Sequence, residues 1–486
     1  MKNISKQVFL NAVACPSLGW LLRSGQEVEG LSYESLSLAE QFRIEQGAEI
    51  GRRARTLYPD GLLVQASNFA KSVEQTLALM QGKKTTVLFE AAFQAGEYVA
   101  KADILKRKGK SWHLIEVKSD TNDKPELLDD LAYTSMVITQ AGFNIDKASL
   151  FLISKDYRLS MNDKELFTEV DHTDDCSERT ELLRGYWDQI EKVTAAPTRP
   201  DPDLQLICKK CPLFYECLGK GIENHVLELP RLSEKRFGGL KELGVFCIKD
   251  IPDNFELTEH QVMVRSCVIN QSPWVSEELK NELDLIEWPA FYLDFETTMT
   301  AIPLYPDVAP YTQLVTQYSV HKCAKPGVVQ THKYYLSDHR RDDRRRLAEE
   351  LITDLEKTGS IVIYSSFEKT TVNNLAKMYP DLADKLGALV DRMVDLEAII
   401  RKNFYHHEFH GSTSVKVTLP VLVPEMSYDE FEIADGDSAS AAFAYLAMGT
   451  YKSKTEVEQV RANLLEYCAQ DTMAMVKLHE RLHAWE

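Results

Sequence analysis

No stretch of eighteen uncharged apolar residues occurs in this chain of 486, so no membrane-spanning helix is expected. The N-terminus lacks a long apolar core followed by a cleavage site, which argues against secretion. Positive charge is also short: 56 Lys and Arg stand against 74 Asp and Glu, a formal net charge of −18. That balance speaks against tight, non-specific binding of nucleic acid over a uniformly basic surface, which counterion release would favour. Basic runs are local: Lys106-Arg107-Lys108, Lys209-Lys210, and Arg340-Arg341 with Arg344-Arg345-Arg346. Each reads first as a solvated face and only second as a phosphate track. Cysteine is sparse, and nine in a chain without a secretory leader suit a reducing cytoplasm. What remains is an ordinary globular composition, 44% apolar and 27% charged. At this length, two large domains with a small connector are expected.

Residues 100–120 carry the first chemical pattern. Asp103 closes an apolar-alternating run, and Glu116 and Lys118 stand two apart on the next, in His-Leu-Ile-Glu-Val-Lys-Ser. Residues i and i+2 of a strand share a face, so Glu116 and Lys118 project together. A turn at Lys108-Gly109-Lys110 folds the two runs into a hairpin that brings Asp103 beside them. Two carboxylates suit a hard divalent cation such as Mg²⁺ or Mn²⁺, and a neighbouring lysine can orient a water. That is the equipment of metal-assisted phosphodiester cleavage. The plain alternative is a hairpin whose charged side chains face water.

Cys208, Cys211 and Cys217 form a C-x2-C-x5-C array, and a fourth candidate, Cys15, lies in Ala-Cys-Pro-Ser-Leu-Gly-Trp. Such tight spacing in a chain without a secretory signal points to metal before disulfides. Four thiolates suit either zinc or an iron–sulfur cluster.

Together the two patterns resemble the iron–sulfur members of the RecB-like PD-(D/E)xK nucleases, the group of AddB and the CRISPR-associated RecB-like exonucleases. The resemblance covers residues 1–225. It implies a 4Fe–4S cluster on Cys15, Cys208, Cys211 and Cys217, with Asp103, Glu116 and Lys118 as the nuclease residues. The family's following helix carries a Q-x3-Y-like motif; here Asp130 and Tyr133 are its counterparts, with no glutamine beside them. Glu49, in Gln-Gly-Ala-Glu-Ile-Gly, is the candidate for the family's early acidic position. The element order fits that core. Residues 37–57 are helix-periodic, 85–119 supply three strands, a helix follows at 126–140, and Ala148 to Ser154 is a further buried strand.

Residues 226–285 read as a helical connector. Leu240 to Val245 followed by Ile248-Lys249-Asp250-Ile251-Pro252 reads first as a plain packing connector and second resembles a helix-hairpin-helix element. Beyond it, Phe291-Tyr292-Leu293-Asp294-Phe295-Glu296 is an apolar strand with Asp294 and Glu296 on one face. Ser365-Ser366-Phe367-Glu368 opens a helix after another buried strand, and Tyr467-Cys468-Ala469-Gln470-Asp471 lies on a long C-terminal helix. This order resembles the ribonuclease-H-like exonucleases of the DnaQ type over residues 286–486. It implies Asp294, Glu296, Glu368 and Asp471 as metal ligands, with Tyr467 positioning a water. Glu368 departs from the aspartate usual in the family, and Asp395 is its rival for that place. Lys416 is a candidate phosphate contact. Pro310-Tyr311-Thr312-Gln313, Gln317-Tyr318-Ser319-Val320-His321 and Ala434-Asp435-Gly436 extend the likeness to a bacterial family that joins both parts in one chain.

The expectation is thus an α/β chain: a PD-(D/E)xK domain with a cysteine cluster at 1–225, a connector at 226–285 and a ribonuclease-H-like domain at 286–486. Its expected activity is metal-dependent hydrolysis of DNA, single-stranded or with free ends, in repair, recombination or defence. A ribonuclease and a non-catalytic nucleic-acid-binding scaffold are the alternatives.

Overall fold

The computed structural model describes residues 2–26, 36–82, 85–428 and 431–485. The chain is mixed α/β and divides into two compact units. The first comprises residues 1–204 together with 300–312, and the second comprises 205–299 and 313–486. The division therefore falls at Leu204, where the sequence suggested 225, and the 226–285 segment clusters with the C-terminal sheet. No described helix is long and apolar enough to cross a membrane.

The first unit is built on a six-stranded sheet in the order β1 (Leu62–Leu63), β2 (Val87–Ala95), β3 (Tyr98–Lys108), β4 (Ser111–Val117), β5 (Ile145–Ile153) and β6 (Phe167–Asp171). Strands β2, β3 and β4 form an antiparallel meander. Its two hairpins pair Ala95 with Tyr98 and Lys108 with Ser111, each leaving a two-residue loop. Gly96 and Gly109 open these loops with φ of 59° and 63°, the position where a type II′ turn takes glycine. Strand β4 then pairs parallel with β5, and helix Pro125–Gln140 makes the crossover that a parallel pair requires. Eight consecutive residues of that helix, Leu131 to Ile138, are buried, because it packs across the sheet beneath the first helix, Lys6–Ala14. Helix Leu38–Thr56 starts at a reciprocal capping box between Ser37 and Glu40.

Residues 300–312 complete the first unit. Ala301 is buried with Ile50, Ile153, Tyr157 and Leu166, and its N–H donates to Gln46 Oε1 at 3.1 Å. Tyr311 donates to the Ser119 carbonyl, one residue beyond Lys118.

In the second unit, β7 (Trp274–Val275) is a short strand lying outside the main sheet. The main sheet has the order β10 (Val328–Leu336), β9 (Leu314–Lys325), β8 (Ala290–Thr298), β11 (Ile361–Ile363) and β12 (Met393–Asp395). The first three strands are antiparallel, and β8, β11 and β12 run parallel. Strand β13 (Phe404–Tyr405) pairs with β7. One core joins Val226, Leu240, Ile251 and Val264 of the 226–285 segment to Tyr292, Val362 and Leu396 of the sheet region. This shared burial explains why that segment is no free-standing connector. The helix-hairpin-helix expectation also needs correction. Helix Glu234–Glu242 is present and ends before Gly244, but Ile248–Asp250 is a three-residue 3₁₀ turn without a helical N-terminus to offer amides.

Helix Lys454–His483 lies on the same sheet. Alternate residues of β9 tie it down: Gln317 Nε2 donates to Leu464 O at 2.9 Å, while Ser319 Oγ and His321 Nδ1 each lie 2.8 Å from Thr472 Oγ1. The period of two that puts Gln317, Ser319 and His321 on one face gives the Gln-Tyr-Ser-Val-His segment its physical role. His321 is held neutral, burial pushing its pKa down to about 4.

Candidate functional site

In the first unit the meander brings Asp103 on β3 and Glu116 on β4 together, and the Val117 N–H donates to Asp103 Oδ2 at 2.8 Å. Lys118 Nζ reaches Glu116 Oε2 at 3.4 Å and Asp130 Oδ2 at 2.6 Å. Lys6, from the first helix, adds a second cation 3.1 Å from Asp130 and 3.8 Å from Glu116. Burial, with Glu116 alongside, pushes the Asp103 carboxyl up to about 7. Burial works against the charge on Lys118, but Glu116 and Asp130 outweigh it and raise its pKa. Glu116 is 2% exposed, and its Oε1 is buried without a hydrogen-bond partner. An orphaned carboxylate oxygen beside a second carboxylate fits a divalent cation.

A cleft of about 230 Å³ opens over Asp103, lined by Gly47, Ala48 and Gly51 of helix Leu38–Thr56 and by Arg55 and Glu90. Glu90 faces Asp103 across the sheet with φ of 54°, an uncommon conformation for a non-glycine residue. Glu49 does not supply the early acid. Its carboxylate is taken up by Arg52 and Arg53, which, with the Arg52 bond foremost, hold it down at about 2. Tyr133 is structural: fully buried, it donates to the Ile4 carbonyl at 2.7 Å.

In the second unit the side chains of Asp294 and Glu296 on β8 converge with Cys468, ligand atoms lying within 4.8 Å of one another. The Cys468 thiol donates to Asp294 Oδ2 at 3.6 Å. Burial, then Asp471, Glu296 and Glu368, push the Asp294 carboxyl well above its usual range. Burial and Asp471 do the same to Glu296, with Lys416 opposing. Asp471 rises to about 6 through burial, although Tyr428, Lys416 and Tyr467 all favour its charged form. Tyr428 Oη donates to Asp471 Oδ1 at 2.6 Å. Glu368, 4% exposed at the start of helix Ser366–Met378, rises to about 7, again chiefly through burial. Asp395, its rival, accepts from the Ala398 N–H at 2.9 Å and so caps the helix Leu396–Asn403. Glu296 and Glu368 are buried and Asp294 and Asp471 partly so; with Asp471 repelling the other three and Lys416 acting on Glu296 and Asp471, they form a donor set suited to divalent metal.

Of the four cysteines, Cys15 belongs to the first unit, between helices Lys6–Ala14 and Pro16–Ser24. The trio lies in the second, on the 3₁₀ turn Leu206–Lys210 and the short helix Phe214–Cys217, all partly exposed. The Gln205 N–H donates to Cys208 Sγ at 3.4 Å.

Residues 291–414 match the sequence profile of a family described as a domain of unknown function, DUF2779. That stretch carries Asp294, Glu296 and Glu368 but stops short of Tyr428 and Asp471. An uncharacterized protein of Mycoplasma genitalium, MG366, is 25% identical over 237 residues, 42% of this chain. The aligned part spans 33% of that relative's length. A solved structure titled "Crystal structure of SSO0001" aligns with 42% of this chain and 95% of its own at 16% identity. Its TM-score of 0.17 is too low to carry a fold assignment.

Sequence reasoning missed Lys6, Glu90, Tyr428 and Cys468 as members of the two sites. Cys468 was within reach, since it immediately follows Tyr467 on a helix turn facing β8. Tyr428 sits in a loop after Pro424 with no periodic pattern around it, and no local signal marks it.

Proposed function

We propose that this chain is a metal-dependent phosphodiester hydrolase acting on DNA, single-stranded or with free ends. In this reading the first unit is a PD-(D/E)xK-type nuclease and the second a ribonuclease-H-like one. The observation that carries it is the convergence of Asp294, Glu296, Glu368 and Asp471, whose proton affinities burial raises first, with Asp471 repelling the other three. The sheet order and the placement of these carboxylates on β8, on a helix following β11 and on a helix across the sheet support the ribonuclease-H-like reading. Asp103 and Glu116, with the orphaned Glu116 oxygen, support a second, separate site.

Asp103 and Glu116 in one site, and Asp294, Glu296, Glu368 and Asp471 in the other, would hold Mg²⁺ or Mn²⁺. Such an ion supplies Lewis acidity and neutralises charge building on a phosphodiester. The chain's own residues do the rest. Asp130 and Glu116 fix the Lys118 ammonium, which is then available to orient a water or contact a phosphate oxygen. Tyr428 and Tyr467 hold the Asp471 carboxylate in one orientation. The thiols of Cys208, Cys211 and Cys217, with a backbone N–H already given to Cys208, suit a 4Fe–4S cluster or zinc.

The test is digestion of end-labelled single- and double-stranded DNA and RNA with Mg²⁺ or Mn²⁺, using wild type, Glu116→Gln, Asp294→Asn and the double variant. Metal-dependent loss of full-length DNA that disappears only in the double variant is the expected result. RNA cleaved in preference to DNA would move the assignment to a ribonuclease. No digestion with either metal would leave a binding scaffold.

A further inference from the structure

A cleft of about 710 Å³ in the second unit lies away from the acidic groups. Two elements form it: the segment from Tyr335 to Arg346 and the start of helix Lys454–His483. Arg340, Arg341, Arg346, Lys452, Lys454 and Arg461 line it, against two acids, Asp338 and Asp343. Six cations over two anions is a strong local reversal in a chain of net charge −18. Pairing offsets only part of it: Arg346 lies 3.8 Å from Glu350 and Lys454 3.5 Å from Glu458, both exposed pairs of the kind that contribute little in water. Arg340 is held by Asp338 at 2.8 Å and Arg341 by Asp343 at 3.3 Å, which uses up both acids of the wall. Arg461 instead donates to the carbonyls of Ser337 and Leu336, which fixes its guanidinium in the wall without neutralising it. Lys452 Nζ likewise donates to the Gly449 carbonyl.

The cations are spread out. Lys454 and Arg461 are seven residues apart on one helix, about 10 Å along its axis at 1.5 Å per residue. Asp471 lies ten residues beyond Arg461 on the same helix, about 15 Å further. A single phosphate is too small to meet cations so spaced, whereas a phosphodiester chain presents one charge per nucleotide.

We propose that this cleft binds the backbone of single-stranded nucleic acid and leads the strand along helix Lys454–His483 toward Asp294, Glu296 and Asp471. The direction toward those carboxylates rests on the hydrolase reading, while the binding does not. The Arg340–Arg346 run is thus completed by cations more than a hundred residues later in the chain.

The test is fluorescence anisotropy of a labelled 20-nucleotide oligo(dT) with full-length protein in EDTA, between 50 and 200 mM KCl. Lys452 and Lys454 are exposed, so the double charge reversal Lys452→Glu/Lys454→Glu should fold as wild type. Losing two phosphate contacts lowers the salt slope by about 1.4, at about 0.7 per contact for single strands. The gap between wild type and variant then narrows about seven-fold between 50 and 200 mM KCl. Lys71→Glu/Lys164→Glu, exposed residues of the first unit, changes net charge equally and should bind as wild type. Equal weakening by both double variants, or by neither, overturns the proposal. So does a tetranucleotide or inorganic tripolyphosphate that binds as tightly as the 20-mer, since the cleft would then be a small-anion site. Metal-dependent cleavage by the same proteins is read separately. Cleft-dependent binding without cleavage by wild type would leave this proposal standing and remove the hydrolase reading.

Discussion

Replacing Asp294 by Asn should stabilise the metal-free protein while removing its response to divalent metal. Burial and three acidic neighbours, Asp471, Glu296 and Glu368, oppose the ionisation of Asp294. Two of the same carboxylates give the scale. Asp471 rises from an ordinary 3.8 to about 6, and Glu368 from 4.5 to about 7. Each corresponds to about 3 kcal/mol of strain in the ionised folded state. The direction with pH follows. Between about 4 and 7 the folded state keeps protons that the unfolded chain has released, so wild-type stability falls as pH rises through that window. Asn at position 294 removes one charge from the cluster with almost no change in shape. A gain of about 2–3 kcal/mol at pH 8 in EDTA is expected, roughly 4–12 °C in the transition of the second unit. Calorimetry across pH 5–8, with and without Mn²⁺, is the assay. Wild type should gain about 2.7 kcal/mol at a hundred-fold excess of Mn²⁺ over its Kd, and the variant little. A variant that melts lower than wild type in EDTA at pH 8 would refute the reasoning, because the carboxylates could not then be packed against one another.

Glu116→Gln should lower DNA digestion by the first site at least about 100-fold, since even outer contacts of metal ligands are worth 10–100-fold; initial rates in an Asp294→Asn background check it. In that background Lys118→Ala should depress kcat more than it raises the Mn²⁺ concentration for half-activity. Thr472→Val deprives Ser319 and His321 of a buried partner, and should cost about 1–3 kcal/mol in urea unfolding. Elemental analysis of anaerobically purified protein should find iron and sulfide lost in Cys211→Ser; stoichiometric zinc without iron would assign the thiols to zinc instead.

Much of the first site was legible because it is local. Strand alternation fixes Glu116 and Lys118 on one face, and a glycine at the turn sets the register that puts Asp103 beside them. Asp294 and Glu296 follow by the same rule. Glu49 failed for a physical reason: helix periodicity gives a face but not the competitors, and Arg52 and Arg53 one turn on claim its carboxylate. Lys6, Glu90 and Tyr428 reach their sites through tertiary packing, and their local sequence says nothing of their partners. The 226–285 segment looked like a connector because its helices are short and carry no chemical motif, yet Val226, Leu240 and Val264 share a core with Tyr292, Val362 and Leu396. Nothing in composition marks residues 300–312 as leaving one sheet to complete another unit.

That excursion has a consequence for how the chain is made. A ribosome releases residues 1–204 well before 300–312, which supply Ala301 to the cluster of Ile50, Ile153, Tyr157 and Leu166 and Tyr311 to the Ser119 carbonyl. At 5–20 residues per second the first unit waits roughly 5–20 s for its last piece. During that interval those apolar side chains lack their cover and are open to a chaperone or a protease. A gene cut at position 204 would make the same unfinished state permanent, so the two units are not separable by a single break in the chain.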